Sequence, residues 1–280
     1  MPVVDWISGL LTRPAPVDEG VRRFVGEGTY ADSFGQEWNW FPTTQLGGAE
    51  STETFFTKTG WSPEALEGKT VLDAGCGMGR FARVAAECGA RVVAVDLSRA
   101  VDAAAHNLAD FDVEVIQADL FDLPFAPGSF DLIYSIGVLH HTPDTRAAFE
   151  RLVPLLKPGG SIAIWVYSGE PRQRMTQVGS DCYRLFTTRM DRERLLRWST
   201  RVQGLGRLYR TRFGRYLIPL LPVSTHEKRE WRILDTFDWY SPRYQHKHRW
   251  REVEGWFRDA GLTEIRRNGV RVAVSGVKPG

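Results

Sequence analysis

The sequence is poor in cysteine. Only Cys76, Cys88 and Cys182 are present among 280 residues, and no two of them form a Cys-x-x-Cys pair. An odd number of cysteines without that spacing argues against a disulfide framework and against a thiolate zinc site. We therefore expect no bound metal ion and a reducing, cytoplasmic location.

Long apolar runs are also lacking. No stretch approaches the roughly 20 apolar residues that a membrane-spanning helix requires. The N-terminal MPVVDWISGLL has no basic residue ahead of its short apolar run, which a secretory signal would have. We expect neither a transmembrane segment nor a secretory signal.

Positively and negatively charged residues are both present, but they are unevenly distributed along the chain. The formal net charge is +2, yet residues 170–280 contain 24 Lys and Arg against 12 Asp and Glu, which leaves residues 1–169 at −10. Such an asymmetry indicates a specialised surface on the basic side. An arginine-rich face that only contacts solvent is an equally good interpretation.

Strand and helix patterns alternate through the middle of the chain and indicate right-handed βαβ units around a parallel sheet. The pattern stops after Tyr167 and returns near residue 249, where a helix precedes two strands joined at Asn268-Gly269, a strong hairpin-turn pair. We therefore divide the chain into four parts: an aromatic-rich N-terminal cap (1–60), a core (61–167), a helical lid or insertion (168–248), and the last helix and β-hairpin of the core (249–280).

A glycine-rich turn follows the strand predicted at Thr70–Ala74. Its glycines let a ligand approach the backbone closely, and the helix that begins after Gly79 offers free N–H groups that favour an anionic group. Dinucleotide-binding proteins share such a turn, but their third glycine would fall at position 80, where this chain has Arg80. NAD binding is therefore disfavoured.

With its neighbours, this turn resembles the first motif of class I S-adenosylmethionine-dependent methyltransferases. Three further features fall where that family has them: Asp96 ends the second strand, Asp119 follows the third, and Lys157-Pro158-Gly159-Gly160 precedes the fifth. The stretch from Phe125 to His141 resembles the branch that contains quinone C-methyltransferases and natural-product methyltransferases. The resemblance is strong over residues 61–167 and weak over 249–280.

The resemblance implies a fold, a cofactor and a set of contacts. The fold would be a Rossmann-like, seven-stranded, mostly parallel sheet with its last strand antiparallel, an N-terminal cap, and a largely helical insertion after the fifth strand. The cofactor would be S-adenosyl-L-methionine, with its ribose hydroxyls on Asp96 and its adenine amino group near Asp119. The implied cofactor-binding residues are Asp73, Gly75, Cys76, Gly77, Gly79, Arg80, Asp96, Leu97, Asp119, Leu120 and Ser135.

Candidates for the acceptor side of the site come from two segments. One pair of histidines follows the fourth strand, at the sheet edge where ligands bind in such folds, and a polar segment before the last helix contributes the rest. Loop packing, or a tie between the insertion and the core, explains the same residues, so both interpretations stay open. The predicted catalytic residues are His140, His141, Tyr240, His246 and His248.

Two other segments have alternative interpretations. The aromatic stretch at residues 30–41 either closes over cofactor and acceptor or packs on the sheet. The arginine-rich amphipathic helix near residues 192–213 either covers the site as a lid or contacts anionic lipid.

The leading functional hypothesis is methyl transfer to a small-molecule acceptor, with an anionic acceptor suited to the basic half. The alternatives are an RNA methyltransferase that uses the basic half and a non-enzymatic S-adenosylmethionine-binding protein. The fourth strand ends in Ser135-Ile136-Gly137-Val138, not in the Asn-Pro-Pro-Tyr type of sequence seen in base-modifying relatives, so no nucleic-acid partner is expected. The oligomeric state is left open.

Overall fold

The computed structural model describes residues 6–26, 35, 40, 43–44, 46–170, 181–218 and 220–280. The chain divides into two compact units. One, which we call the core unit, consists of Met1–Ser168 together with Tyr244–Gly280, and the other, the insertion unit, is Gly169–Arg243. None of the helices in the described ranges has the length and apolar character needed to cross a membrane.

The core unit contains one mixed sheet. In its described residues the strands are β1 Val17–Asp18, β2 Val21–Arg23, β3 Thr70–Ala74, β4 Arg91–Asp96, β5 Val113–Gln117, β6 Phe130–Ile136, β7 Leu156–Trp165, β8 Thr263–Arg267 and β9 Ala273–Val277. Their order across the sheet is β1-β2-β5-β4-β3-β6-β7-β9-β8. The strands from β2 to β7 pair in parallel, and β9 is antiparallel to both of its neighbours. The predicted mostly parallel α/β sheet is therefore present.

The predicted count of seven strands is wrong, because the described residues form nine. The two extra strands come from the segment expected to be only a cap. Glu19 and Gly20 both have positive φ, 50° and 79°, and form a two-residue turn that folds β1 back on β2. β2 then adds to the edge of β5, where Arg22 donates to Glu114 at 2.8 Å. Such short strands with a Glu-Gly turn give little hairpin signal in a sequence.

Helices cover both faces of the sheet. On one face lie α1 Ala49–Thr59, α2 Arg80–Glu87 and α3 Ala100–Asn107, and on the other lie α4 Thr145–Leu152 and α8 Trp250–Asp259. Each face has its own buried apolar cluster, the first including Phe55 and Val84 and the second including Phe149 and Phe257. Burial of these side chains drives the layered arrangement, at about 25 cal/mol per Å² of apolar surface.

The connection between β8 and β9 is longer than the predicted Asn-Gly hairpin turn. β8 ends at Arg267 and β9 begins at Ala273. Asn268 and Gly269 instead contact α1, since Asn268 Nδ2 donates to the Lys58 carbonyl at 2.8 Å and the Gly269 N–H donates to the Thr57 carbonyl at 3.0 Å. These tertiary hydrogen bonds hold the start of the connection, and the Asn268 N–H donates to the Ala273 carbonyl at 2.9 Å and closes the hairpin.

The insertion unit is helical where the structure describes it, with α5 Arg192–Val202, α6 Leu205–Tyr209 and α7 Arg229–Tyr240. Its small core contains Leu195, Phe237 and Tyr240. Arg232 is also buried, and its guanidinium donates to the carbonyls of His226 and Glu227 at 2.8 and 2.7 Å. These bonds satisfy a charge that would otherwise be costly to bury.

Candidate functional site

The glycine turn connects β3 to α2 at the carboxyl edge of the sheet. Gly75, Gly77 and Gly79 have φ values of 96°, 54° and 91°, a region that residues with a Cβ rarely adopt. The N–H groups of Gly75 and Cys76 both donate to the Val95 carbonyl at 2.8 Å, which ties the turn to the end of β4. The turn is therefore held in one shape, with α2 beginning directly after it.

Gly75 also marks a close approach between two parts of the chain. A Cβ built at this position would lie 2.4 Å from both methyl carbons of Val138. Val138 follows β6, the neighbour of β3 on the side away from β4. The sheet order reverses between these strands, which is where ligands bind in open α/β sheets.

Asp96, the last residue of β4, faces the turn. One carboxylate oxygen accepts the Gly77 N–H at 2.9 Å, and the other accepts the backbone N–H and hydroxyl of Ser98 at 2.8 and 2.7 Å. Burial raises the pKa of Asp96, while these donors favour its charged form and act in the opposite direction. A carboxylate has about four acceptor positions, and the backbone N–H of Leu97 also acts on this group, so a ribose hydroxyl would share an oxygen that already accepts hydrogen bonds.

Asp119 follows β5, the next strand along. Its carboxylate accepts the Phe121 N–H at 3.0 Å and so stabilises the turn after the strand. The adjacent Leu97 and Leu120 are buried, which provides apolar surface beside the two acids. Because β3, β4 and β5 are parallel neighbours, the glycine turn, Asp96 and Asp119 all lie along one edge.

Asp73 lies beneath the turn. It is buried and accepts a hydrogen bond from the Tyr134 hydroxyl at 2.9 Å. Burial raises the pKa of Asp73 to about 8, and the nearby Asp96 charge acts in the same direction. At neutral pH this carboxyl is therefore mostly protonated.

Three other predicted cofactor residues use their side chains within the protein. The Ser135 hydroxyl donates to the Ala74 carbonyl at 2.7 Å, and the Cys76 thiol lies 3.5 Å from the Gly77 carbonyl. Arg80 Nε donates to the Ser51 hydroxyl at 3.0 Å. Their roles toward a cofactor stay predictions.

The acceptor-side histidines after β6 differ from each other. Both lie in the short 3₁₀ helix Leu139–His141. His141 Nδ1 is 2.9 Å from the Tyr244 carbonyl. His140 is fully buried and stacks on Tyr167 with 3.9 Å between ring centroids, and neither of its ring nitrogens has a hydrogen-bond partner in the part of the chain that the structure describes. Burial lowers the pKa of His140 well below its ordinary value, so its ring is neutral.

His246 attaches the segment before α8 to the loop after β6, and His248 attaches it to the first residue of α4 and to α8. His246 Nε2 is 3.1 Å from the Thr142 carbonyl. His248 uses both ring nitrogens, with Nδ1 2.8 Å from Glu252 and Nε2 3.0 Å from the Thr145 hydroxyl. These contacts give both residues a structural role, and their predicted part in catalysis stays a prediction.

Tyr240 belongs to the insertion unit, where it is buried and donates its hydroxyl to the Pro222 carbonyl at 2.7 Å. This hydrogen bond and the packing of the ring against Trp198 explain why Tyr240 is buried within the insertion unit. Its catalytic role and the lid role of residues 168–248 stay predictions. Of the aromatic segment 30–41, all but residues 35 and 40 lie outside the described residues.

Sequence reasoning missed Lys58. This residue is in the last turn of α1, and its amine lies 3.5 Å from the centroid of the Trp165 ring, at the end of β7. Burial lowers the pKa of Lys58 to about 7, and the positive charge of Arg80 adds to the shift. A lysine is common in the last turn of a helix because its positive charge interacts favourably with the helix dipole. The sequence therefore gave no sign that Lys58 has another role.

A metal site was not expected, and in the described ranges no three His, Cys, Asp or Glu side chains are grouped as metal ligands would be. The residues along the β3–β5 edge do fit S-adenosylmethionine in their chemistry. Asp96 and Asp119 carry acceptors for hydroxyl and amino donors, and the glycine turn exposes backbone at the start of α2.

Comparison with known proteins agrees with this chemistry. Residues 72–164 match the family model described as a methyltransferase domain. Phosphoethanolamine N-methyltransferase 2 of Caenorhabditis elegans is 39% identical over 105 residues, which are 36% of this chain and 24% of that protein. The demethylmenaquinone methyltransferase of Clavibacter sepedonicus is 37% identical over 120 residues, 42% of this chain and 49% of that protein. The chain thus spans about a quarter to a half of the length of these relatives.

A solved structure extends the likeness beyond the matched domain. A protein from Methanococcus maripaludis, assigned to the S-adenosyl-L-methionine-dependent methyltransferases, aligns with 91% of this chain and 97% of its own, with a TM-score of 0.50 and 15% identity. At that identity the likeness shows the fold alone. The predicted resemblance is nevertheless confirmed by the family model and the curated relatives. Residues 72–164 form a methyltransferase domain of the class I, S-adenosylmethionine-dependent type, and the chain resembles the quinone methyltransferases.

Proposed function

We propose that this protein transfers the methyl group of S-adenosylmethionine to a small aromatic acceptor that carries a hydroxyl group. The observation that carries the proposal is the alignment of the glycine turn, Asp96 and Asp119 along the carboxyl ends of three neighbouring strands. Charge and hydrogen-bond acceptors are thus available where an adenosyl group would need them.

The residues of this edge would bind and orient the cofactor. When bound, S-adenosylmethionine supplies a methyl group that its sulfonium already activates. Asp96 would accept the ribose hydroxyls and Asp119 the adenine amino group, while Leu97 and Leu120 would contact the ring. Alignment of acceptor and methyl group is the main requirement, and it can contribute roughly 7–11 kcal/mol to lowering the barrier.

The acceptor class is proposed from the residues beyond β6 and β7. Trp165, Tyr167 and His140 form a cluster of rings, with Trp165 and Tyr167 centroids 5.6 Å apart and His140 stacked on Tyr167. Such rings suit a planar acceptor. Among the relatives, the name demethylmenaquinone methyltransferase indicates an aromatic acceptor, whereas phosphoethanolamine N-methyltransferase indicates an anionic amine. The ring cluster favours the aromatic class.

A turnover assay tests this proposal. The full chain is incubated with methyl-labelled S-adenosylmethionine and, separately, with 3,4-dihydroxybenzoate, 1,4-dihydroxy-2-naphthoate or phosphoethanolamine. We expect label transfer to a dihydroxy compound, less transfer to phosphoethanolamine, and a reduced rate with the Asp96→Ala variant at limiting cofactor. Transfer to none of the three would overturn the acceptor class, and an absence of S-adenosylhomocysteine binding would overturn the function.

Three free cysteines support the further proposal that the enzyme works in the cytoplasm.

A further inference from the structure

Lys58 lies at the border between the cofactor edge and the ring cluster. Its amine is over the Trp165 ring at 3.5 Å, and Trp165 ends β7. The Trp165 carbonyl accepts the N–H of Gly137, the residue that follows β6. The His140 ring lies 6.2 Å from the Trp165 ring, edge to face. The amine is thus beside the carboxyl ends of β6 and β7, and the charge of Arg80, the residue after the glycine turn, acts on it.

The Lys58 amine lies over an aromatic ring, a common contact that by itself favours the charged form of the amine. No carboxylate forms an ion pair with it among the residues that the structure describes, and its contact with the chain is an aromatic face. Two titratable or charged groups lie on the neighbouring elements. The charge of Arg80, at the start of α2, lowers the pKa of Lys58, and the charge of Lys58 lowers the pKa of His140, after β6. The β8–β9 connection contributes backbone and amide groups, through Asn268 at the Lys58 carbonyl and Arg271 at Trp165 Nε1.

We propose that Lys58 is the proton acceptor for the hydroxyl group of the methyl acceptor. The inference rests on the proposed function. It follows from the position of the amine beside the ring cluster and from the absence, among the described residues, of a carboxylate paired with it. The pKa of about 7 agrees with this role, because an appreciable share of the amine is then neutral at neutral pH and able to take a proton.

The chemical balance is simple. The acceptor's O–H bond breaks, its electron pair stays on oxygen, and the proton goes to Nζ of Lys58. The bond from oxygen to the methyl carbon forms as the carbon–sulfur bond breaks, and the electron pair of that bond goes to sulfur. Lys58 ends as an ammonium and returns its proton to water. His140 has no such part, because its lowered pKa makes it a weak base.

The first test measures the Lys58 amine without any turnover. Trace acetylation by acetic anhydride is carried out on the wild-type chain from pH 5.5 to 10.5, and the modification at each lysine is measured by peptide mass spectrometry. Lys69, which is exposed just before β3, is the matched control. We expect the reactivity of Lys58 to titrate near pH 7, below the range of an ordinary lysine amine. Titration of Lys58 near pH 10 would overturn the inference.

The second test separates proton acceptance from positive charge. Lys58→Arg keeps a cation but cannot accept a proton at neutral pH, and Lys69→Arg is the control. With the dihydroxy compound that wild type methylates, we expect kcat of Lys58→Arg to fall by roughly 10²–10⁴-fold. Affinity for S-adenosylhomocysteine should stay within about threefold of wild type, and the rise of the wild-type rate near pH 7 should disappear.

The outcomes distinguish this inference from the proposed function. A Lys58→Arg variant that keeps the wild-type rate and pH profile overturns the inference alone, since the residue would then act only as a cation. Failure of wild type to bind S-adenosylhomocysteine overturns the function and the inference with it. If Lys58→Arg melts at a lower temperature, Lys58→Gln is compared with it. Wild-type turnover by a stable Lys58→Gln would equally overturn the inference.

Discussion

The two halves of the sheet's carboxyl edge are built in different ways. The half at β3, β4 and β5 is made from short contiguous segments in which backbone geometry dominates, as in the glycine turn around Gly77. The half at β6 and β7 is assembled from side chains far apart in the chain, such as Lys58, His140 and Trp165. The first half has the chemistry of a nucleoside site, and the second has aromatic and basic groups.

This difference suggests where specificity resides. A cofactor shared by many enzymes is bound by a local motif that tolerates few changes. An acceptor that differs between enzymes contacts residues that different elements contribute, and these can change one at a time. Changes in the first half should therefore abolish binding, whereas changes in the second should alter rate, pH dependence or stability.

The largest effect is expected for Gly75→Ala. The new methyl group would lie 2.4 Å from the Val138 methyl carbons at a φ of 96°, so the turn must move, with backbone strain of roughly 1–3 kcal/mol besides the steric clash. We expect loss of S-adenosylhomocysteine binding in calorimetry. Gly128→Ala is the control, because Gly128 also has positive φ, 71°, but open space around its Cβ position. Equal affinities of the two variants would contradict a requirement for close approach at the turn.

A pH-dependent effect is expected for Asp73→Asn. The folded-state pKa of Asp73 is about 8, above the unfolded value of about 3.9. The folded state therefore binds more protons between these values, and stability should fall as pH rises through this window. From pH 5 to 8 this loss is at most about 4 kcal/mol, and urea denaturation should show it. Asp73→Asn should flatten the profile, and an unchanged profile would mean that Asp73 is ionised in the folded protein.

Asp96→Ala should weaken binding without abolishing it. The change removes an acceptor of charge-assisted hydrogen bonds to the ribose, for which we expect a roughly tenfold to hundredfold rise in Kd for S-adenosylhomocysteine. It also leaves the Gly77 N–H without its partner, so the melting temperature must be measured alongside. Asp112→Asn, an exposed acid just before β5, should have no effect. Unchanged affinity for S-adenosylhomocysteine in a folded Asp96→Ala variant would contradict the proposal that Asp96 binds the ribose.

The smallest effects on the cofactor are expected for His246→Ala and His248→Ala. The side chain of His248 contacts Thr145 and Glu252, so its loss should lower stability by about 1–2 kcal/mol, and His246→Ala should cost less because it removes one contact. Cofactor affinity should not change in either variant. Turnover that falls while the melting temperature is unchanged would assign these histidines to the acceptor instead.

The sequence predicted what local patterns encode. The strands, the glycine turn and the positions of Asp96 and Asp119 follow from hydrophobic patterning and short motifs, and the structure contains them. The β1–β2 hairpin was missed because two- and three-residue strands carry almost no periodicity. The Asn268-Gly269 turn was misjudged because its hydrogen-bond partners lie on α1, about 210 residues earlier.

The acceptor side could not be derived in the same way. Lys58 becomes noteworthy only through its contact with Trp165, more than 100 residues away. His248 resembles a catalytic residue in the sequence, and its partner Thr145 is visible only in the fold. Tertiary contacts of this kind decide which histidine or lysine is a structural residue and which one is available for chemistry.

The most direct test of the central claim is a calorimetric titration of the full chain with S-adenosylhomocysteine. The account predicts one-to-one binding by wild type and by Gly128→Ala, weaker binding by Asp96→Ala, and none by Gly75→Ala. Absence of binding by the wild-type chain, or binding of equal strength by Gly75→Ala, would contradict the assignment of the glycine turn as the cofactor site.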